Sequence, residues 1–274
     1  MVFGNMPGDG GHLLMSASEA NAIAEADHRT AKYIFDFVGS QEFVKGTVRR
    51  CFWIEDAEVE AAKQLTSVSE RLASVRRFRL ASRRAGTQSG AEWPHRFNER
   101  RQKIHDLNST IVVPRVSSEK RSYLPVGLLS RHSIVSDRVF ALYDAPLWNM
   151  ALIASRLHWV WISTVCGRLE TRISYSNTLG WNTFPVPTLT DKNKDDLTRC
   201  AEDILLVREA HFPATIADLY APDKMPDDLR AAHDRNDETL ERIYIGRRFR
   251  NDTERLEKLF ELYPKMTVSG KKKS

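Results

Sequence analysis

The sequence predicts an α+β fold, in which a mixed helix and strand region precedes a small all-α helical bundle. The first observation is a set of strand-like apolar runs at 110–113, 123–129 and 138–143, separated by polar turns. The second is helical periodicity, because apolar residues recur every three or four positions between 58 and 84 and again in the last third of the chain. The pattern therefore favours two regions of different architecture.

The change between the two patterns falls at Phe184-Pro185-Val186-Pro187, where two prolines remove backbone donors and stiffen the chain. We therefore predict a first domain over 1–188 and a helical C-terminal domain over 189–274. In the second domain the apolar spacing predicts helices over 196–210, from Pro226 onward and over 252–263.

Local signals define further elements of the first domain. Ser16 and Glu19 have the spacing of a capping box and predict a short helix, and Cys51-Phe52-Trp53-Ile54 predicts a buried strand. The segment 147–165 is nearly all apolar and predicts one central buried helix. His158 within it is expected to be a core histidine rather than a ligand, and Gly167 is expected to end the helix.

Composition restricts the class of protein. The 274 residues are 42% hydrophobic, which is enough for a core, and they contain neither a run of about 20 apolar residues nor a signal peptide. Three widely spaced cysteines suggest neither a disulfide framework nor a paired-cysteine zinc site. A reducing cytoplasm fits this composition best.

Positive charge is concentrated in one part of the chain. The formal net charge is +5, yet Arg71 to Arg121 contains thirteen Lys and Arg against four Asp and Glu. A polyanion is the natural partner for such a density, and the alternative is an ordinary solvated surface. On a helix running to residue 84, Arg76, Arg79 and Arg83 share one stripe, so we predict that they contact a phosphate backbone.

Two segments after this helix carry further cations. The polar stretch 86–108 is expected to be an irregular surface loop that presents Arg96, Arg100, Arg101 and Lys103. The segment 114–121 places small hydroxyls between basic residues, which suits contacts with phosphate oxygens or, alternatively, a charged hairpin loop.

Glu170 and Arg172 form the most informative pair. In an extended segment, residues two apart lie on the same side. A carboxylate accepts from the cytosine amino group and an arginine donates to guanine O6 and N7, so this pair could read one C·G base pair in the major groove. The alternative is an ordinary surface ion pair.

Five motifs, in this order, resemble the target recognition and C-terminal regions of the MmeI-type DNA adenine methyltransferases, which are single-chain type IIL restriction-modification enzymes. The motifs are Gly39-Ser40-Gln41-Glu42-Phe43 with Gly46, Phe78-Arg79-Leu80-Ala81-Ser82, Pro114-Arg115-Val116-Ser117-Ser118-Glu119, the segment from Cys166 to Ser176, and Trp181-Asn182-Thr183-Phe184-Pro185. The resemblance covers nearly the whole chain.

The resemblance implies sequence-specific binding of double-stranded DNA, with Glu-x-Arg associated with C·G and Lys-x-Asp with the opposite pair. It implies base readout by Glu170, Arg172 and Arg115. The expected backbone contacts are Arg76, Arg79, Arg83, Ser117, Ser118, Lys120, Arg121, Tyr175 and Ser176. The partners implied are DNA and the methyltransferase domain of a longer polypeptide, which would bind S-adenosylmethionine.

Catalytic motifs are not apparent in the sequence. An Asn/Asp-Pro-Pro-aromatic loop for a flipped base is missing, and Asp144-Ala145-Pro146 is better explained as a helix start. We therefore expect no metal, no cofactor and no activity in this chain alone. Two alternatives remain: a metal-dependent nuclease whose carboxylates converge only in the fold, with Glu119-Lys120 as its nearest candidate, and a basic RNA- or protein-interaction module.

Overall fold

The structure, a computed structural model, describes residues 1–101 and 107–270, so Lys103 of the predicted loop lies outside the described residues. Within these ranges no helix has the length and apolarity needed to cross a membrane. The strands are β1 (Val2–Phe3), β2 (Leu14–Ser16), β3 (Ile34–Val38), β4 (Arg49–Phe52), β5 (Ser109–Pro114), β6 (Val116–Ser117), β7 (Gly127–Ser130), β8 (Ser133–Val135), β9 (Val139–Tyr143), β10 (Gly167–Leu169) and β11 (Arg172–Ser174).

Helices account for most of the remaining described structure and confirm the α+β prediction. They are α1 (Ala17–Ala26), α2 (Ser40–Lys45), α3 (Val59–Lys63), α4 (Thr66–Leu80), α5 (Ala85–Ser89), α6 (Trp148–Ile153), α7 (Arg156–Val165), α8 (Asp191–Ala210), α9 (Ile216–Leu219), α10 (Asp227–Ile245) and α11 (Asp252–Gly270). Short 3₁₀ turns and a π-helical turn at Asn177–Trp181 join some of them.

The chain folds as two compact units. The N-terminal unit contains Phe3–Thr110 and Leu129–Ala141, and the C-terminal unit contains Met1–Val2, Ile111–Leu128 and Leu142–Ser274. The predicted domain boundary at residue 188 therefore falls inside the C-terminal unit.

A sheet of strand order β2-β4-β3-β8 organises the N-terminal unit. Strands β2 and β3 run antiparallel to β4, and β8 runs parallel to β3. The predicted strand at Cys51 is confirmed, because Cys51 and Phe52 lie fully buried in the core. The capped helix is confirmed as well, since the Ser16 Oγ accepts a hydrogen bond from the Glu19 backbone N–H at 3.1 Å.

The segment after α4 differs from the prediction. Helix α4 ends at Leu80, four residues earlier than expected, and α5 and a 3₁₀ turn follow where an irregular loop was predicted. The physical reason is burial of Phe97, whose ring packs edge-on against Trp53 and Phe37 at centroid distances of 5.2 and 5.7 Å. An aromatic anchor of this kind fixes the segment to the core.

The central apolar segment of the C-terminal unit is two helices rather than one. Ser155 lies between α6 and α7, accepts from the His158 N–H at 3.1 Å and donates to the Leu152 carbonyl at 2.7 Å. A serine that bonds the backbone on both sides favours a helix break over continuation. Gly167 does not end α7, because Cys166 holds that position and Gly167 begins β10.

The three predicted C-terminal helices are confirmed as α8, α10 and α11, although α8 begins at Asp191 and α11 extends to Gly270. They pack on α6 and α7: the Asn236 amide donates to the Ala151 carbonyl at 2.9 Å, and Trp161 contacts the Phe260 ring at 5.4 Å. The Tyr244 hydroxyl donates to the Pro185 carbonyl at 2.6 Å, so the proline-rich segment is held against this bundle.

Candidate nucleic-acid interface

Glu170 and Arg172 lie at the tip of a β-hairpin formed by β10 and β11. Leu169 pairs with Arg172 and Arg168 pairs with Ile173, which leaves Glu170 and Thr171 as a two-residue turn. Glu170 has φ +58°, a left-handed conformation that favours glycine or asparagine. The expectation that Glu170 lies in an extended segment is therefore wrong, because the chain turns at this residue.

The turn nevertheless places the two charged groups side by side. The Arg172 Nη2 donates to the Glu170 Oε2 at 2.8 Å, and the side chains are 46% and 77% exposed. This single contact leaves the other carboxylate oxygen and the remaining guanidinium N–H groups without a described partner. Acceptor and donor groups thus lie next to each other at the exposed tip of the hairpin.

Strand β6 extends the hairpin to a three-stranded sheet of order β10-β11-β6. Ile173 pairs with Ser117, and the Tyr175 N–H donates to the Arg115 carbonyl at 2.8 Å. The sheet therefore brings the 114–121 segment beside the hairpin, so the predicted contacts from both segments lie on one small substructure. Arg115 is half-buried.

The base of the hairpin is anchored in the core through Tyr175. Its ring is 4% exposed, and its hydroxyl lies 3.0 Å from the Nε2 of fully buried His158. Burial lowers the pKa of His158 to about 3, so the imidazole is neutral at physiological pH. His158 is confirmed as a core histidine, and the prediction that Tyr175 contacts the DNA backbone is wrong, because its hydroxyl is committed inside the protein.

The other predicted phosphate contacts differ in accessibility. Ser117 is 3% exposed and its Oγ accepts from the Arg121 Nη1 at 3.4 Å, so its burial contradicts the predicted contact. The Ser118 Oγ accepts from the Lys120 N–H at 3.3 Å, and the Ser176 Oγ caps the π-helical turn through the Leu179 N–H at 3.2 Å. Burial lowers the pKa of the half-buried Arg121.

Arg79 contradicts the predicted cationic stripe on α4. It is 1% exposed, and its five N–H groups donate to five backbone carbonyls at 2.7–3.0 Å. The acceptors are the carbonyls of Pro7, Gly8, Gly90, Trp93 and Arg96. With all donors satisfied inside the protein, Arg79 cannot contact a phosphate, and its guanidinium instead joins residues Pro7 and Gly8 to the segment after α4.

Arg76 and Arg83 remain on the surface, although Arg83 lies beyond the end of α4. Neither forms an ion pair with a described residue, and their neighbours Arg77 and Arg84 are exposed without an acidic partner in the same part of the chain. The uncompensated positive charge of this region therefore lies at the C-terminal end of α4.

The three described arginines of the predicted irregular loop form local ion pairs. Arg96 pairs with Asp56, Arg100 pairs with Glu55 at 2.9 Å, and Arg101 pairs with Glu99. Arg96 holds the pKa of Asp56 well below its usual range through their hydrogen bonds. These arginines therefore stabilise the fold and contribute little net charge to a surface.

Sequence reasoning missed two exposed residues at the hairpin tip, Arg168 and Leu169. The Arg168 Nη1 donates to the Thr171 carbonyl at 3.1 Å, and Leu169 is 50% exposed. The signal that could have found them is the hairpin itself, because Leu169 and Arg172 flank a two-residue turn.

The described ranges contain no group of three or more His, Cys, Asp or Glu residues that could hold a metal ion. Glu119, the nearest candidate for a nuclease, is therefore not part of a group of metal-binding side chains within the part of the chain that the structure describes.

Two family profiles match the chain. Residues 1–188 match the profile described as "MmeI, target recognition domain", and residues 189–269 match "MmeI, C-terminal domain".

Two longer proteins are similar to this chain over 97% of its length. DNA methyltransferase A of Bacillus subtilis (strain 168) is 38% identical over 266 residues, which are 97% of this chain and 30% of that protein. The solved structure of the type IIL restriction-modification enzyme MmeI in complex with DNA aligns with a TM-score of 0.90 and 32% identity over 97% of this chain and 35% of that one. The chain thus spans about a third of each relative's length.

Proposed function

This chain belongs to the MmeI family, and from that premise we propose that it reads the base sequence of double-stranded DNA. In this proposal it is the target recognition region of a site-specific DNA adenine methyltransferase of the restriction-modification type, and the catalytic part lies outside this chain. A cytoplasmic location belongs to the same proposal, because that is where bacterial DNA lies.

The observation that carries the proposal is the exposed Glu170–Arg172 pair on an anchored hairpin. A two-stranded ribbon fits the major groove, which is about 12 Å wide. The Glu170 oxygen that does not bind Arg172 would accept from the cytosine amino group, while the remaining Arg172 N–H groups would donate to guanine O6 and N7. Because each group already orients the other, little side-chain freedom is lost on binding.

The buried base of the hairpin supports this role. The Tyr175–His158 hydrogen bond and the pairing of β11 with β6 fix the tip relative to the core of the unit. Base readout needs such a support, because a side chain displaced by about 1 Å loses the geometry of its contacts. The left-handed backbone of Glu170 is consistent with strain retained at a functional position.

Contacts with the DNA backbone would come from side chains that are exposed or half-buried. We propose Arg76 and Arg83 in the N-terminal unit, and Ser118, Lys120, Arg121 and Ser176 in the C-terminal unit, with Arg115 retained as a third base reader. Arg79, Ser117 and Tyr175 are excluded by their burial.

S-adenosylmethionine would bind to the methyltransferase part of the longer polypeptide. The loop that would hold the flipped base is not formed here either, because Asp144-Ala145-Pro146, the nearest likeness to it, has only one proline and leads directly into α6. No chemical step is therefore assigned to this chain.

The experiment that tests the proposal is selection of duplexes from a randomised library by this chain, followed by the double substitution Glu170→Lys with Arg172→Asp. The wild type should select a site with one C·G position that depends on the pair. The double variant should move the preference at that position alone from C toward G, while either single change should weaken binding by about 1–3 kcal/mol.

A matched control is Lys192→Glu with Asp196→Lys, an exposed ion pair of similar length on α8 that should leave the selected site unchanged. Retention of the C·G preference by the Glu170/Arg172 double variant would reduce the pair to a surface salt bridge. Equal competition by duplex RNA would favour the RNA-binding alternative, and metal-dependent cleavage of the duplex would favour the nuclease.

A further inference from the structure

Leu169 is a half-exposed apolar side chain near the tip of the β10–β11 hairpin. It is 50% exposed, whereas Ile173 on the neighbouring strand is 2% exposed and supplies the hairpin's contact with the core. Ser117, which pairs with Ile173, is also buried. Among the residues of this hairpin, Leu169 thus presents apolar surface to solvent, whereas Ile173 does not.

Its position in the ladder relates Leu169 to the base-reading pair. Leu169 pairs with Arg172 in the last rung before the turn, so the two side chains share one face of the hairpin. Cross-strand neighbours have Cβ atoms about 4.5–5.5 Å apart, and stacked base pairs are about 3.4 Å apart. Along the duplex axis such a separation is about one and a half base-pair spacings, so when Arg172 faces one base pair, Leu169 would face a step close to that pair.

The chemistry of the tip favours insertion at this step. Leu169 shares its face of the hairpin with Arg172, whose partner Glu170 is the next residue in the turn, so charged groups that can hold the DNA lie beside an apolar group that offers it no hydrogen bond. Apolar side chains of minor-groove proteins unstack neighbouring bases by entering between them. Leu169 would enter from the major groove instead, and the exposed half of its surface would leave water on doing so. An enzyme that modifies a base inside a duplex must supply the free energy for such unstacking.

We propose that Leu169 is a wedge that unstacks the base step next to the C·G pair, and that this chain does so without a catalytic domain. The proposal rests on the proposed function, because it needs the hairpin tip in the groove. Leu169 is a positioning residue here: it distorts the duplex in preparation for base extrusion and takes no part in chemistry.

The test uses this chain and the duplex that it selects, with a fluorescent base analogue at the step beside the C·G pair. 2-Aminopurine replaces a purine there, and pyrrolocytosine replaces a cytosine. Binding of the wild type should raise the fluorescence at least twofold as stacking is lost. Leu169→Ala should abolish the rise but retain the C·G preference, and Leu169→Met should restore most of it.

Leu179→Ala is the matched control, because Leu179 is equally exposed, at 50%, in the same unit. It should behave as the wild type. If the fluorescence still rises with Leu169→Ala, the wedge proposal is overturned and the proposed function is not. The same holds if the wild type shows the C·G preference but no rise in fluorescence. A preference that is lost when thymine is replaced by uracil, without a rise in fluorescence, also overturns it and indicates a methyl contact instead. Absence of any C·G position overturns the proposed function.

Discussion

Helix α4 and the β10–β11 hairpin both carry arginines that the sequence predicts to contact DNA, yet the structure uses them differently. On α4 the central arginine of the stripe, Arg79, is buried and binds five carbonyls. On the hairpin Arg172 is exposed and binds one carboxylate, that of Glu170, at 2.8 Å. The difference shows that a charge inside the fold stabilises the native state, whereas a charge at a supported tip stays available to a partner.

The largest expected effect follows from Arg79. Arg79→Ala leaves five buried carbonyls without their donor, and we expect it to lower the free energy of unfolding by roughly 3–5 kcal/mol, which is the range for removing one partner of a buried charged contact. Urea denaturation followed by circular dichroism measures it. Arg76→Ala is the control and should change stability by less than about 0.5 kcal/mol. Equal stability of the two variants would place Arg79 on the surface and remove the contrast with Arg172.

A second buried ionisable group, Asp237, lies in the C-terminal unit. Its carboxylate accepts from the Arg156 N–H at 2.7 Å and from the Tyr123 hydroxyl at 2.9 Å, and burial raises its pKa to about 7. An unfolded aspartate has a pKa near 3.9, so between about pH 4 and 7 the unfolded chain releases a proton that the folded chain keeps. Stability from this group should therefore fall as the pH rises through that window and level off above it.

Asp237→Asn should remove this dependence. Relative to the wild type, the variant should gain stability from pH 4 to 7 by up to about 4 kcal/mol, an upper bound set by the difference of about three pKa units. Urea midpoints at half-unit pH intervals measure the change. Asp203→Asn is the control, because Asp203 is paired with Arg235 at the surface. Parallel stability curves for wild type and Asp237→Asn would show that Asp237 is ionised throughout.

The same contrast explains how far the sequence could predict the molecule. Periodicity and capping located α1, the strand at Cys51 and the C-terminal helices, because those signals are local. Burial of Arg79 was not predictable, since it depends on carbonyls supplied by residues 7–8 and 90–96, far from position 79 in the chain.

At the candidate site, the pairing of Glu170 with Arg172 was predictable from their spacing, but the turn was not. The sequence has no glycine or asparagine at position 170 to indicate a left-handed residue. Tyr175 was wrongly predicted to contact the DNA backbone for a related reason. Its hydroxyl has the chemistry of a phosphate contact, and only the fold shows that it is hydrogen-bonded to His158.

A smaller effect is expected from the strained turn. Glu170→Gly removes a side chain from a residue at φ +58°, and we expect it to stabilise the fold by about 1 kcal/mol. The same variant should lose the C·G preference, because the carboxylate that accepts from cytosine is gone. Thr171→Gly is the control, since Thr171 does not have a positive φ and the change should not stabilise. A destabilised Glu170→Gly would argue against the left-handed conformation and against strain at the tip.

The smallest effect on the fold is expected from Arg76 and Arg83, the exposed members of the α4 stripe. The double variant Arg76→Ala with Arg83→Ala should keep the urea midpoint within the range of an ordinary surface change, about 0.5 kcal/mol. Binding to duplex DNA should instead become less dependent on salt, because each phosphate contact contributes roughly −0.9 to the slope of log K against log salt concentration. Titrations between about 50 and 200 mM salt measure this slope.

The control is Arg29→Ala, which removes an exposed arginine whose charge is already paired with Asp27. An unchanged slope in the double variant, with a normal slope in the control, would take the N-terminal unit's arginines out of the interface and leave the hairpin as the principal contact.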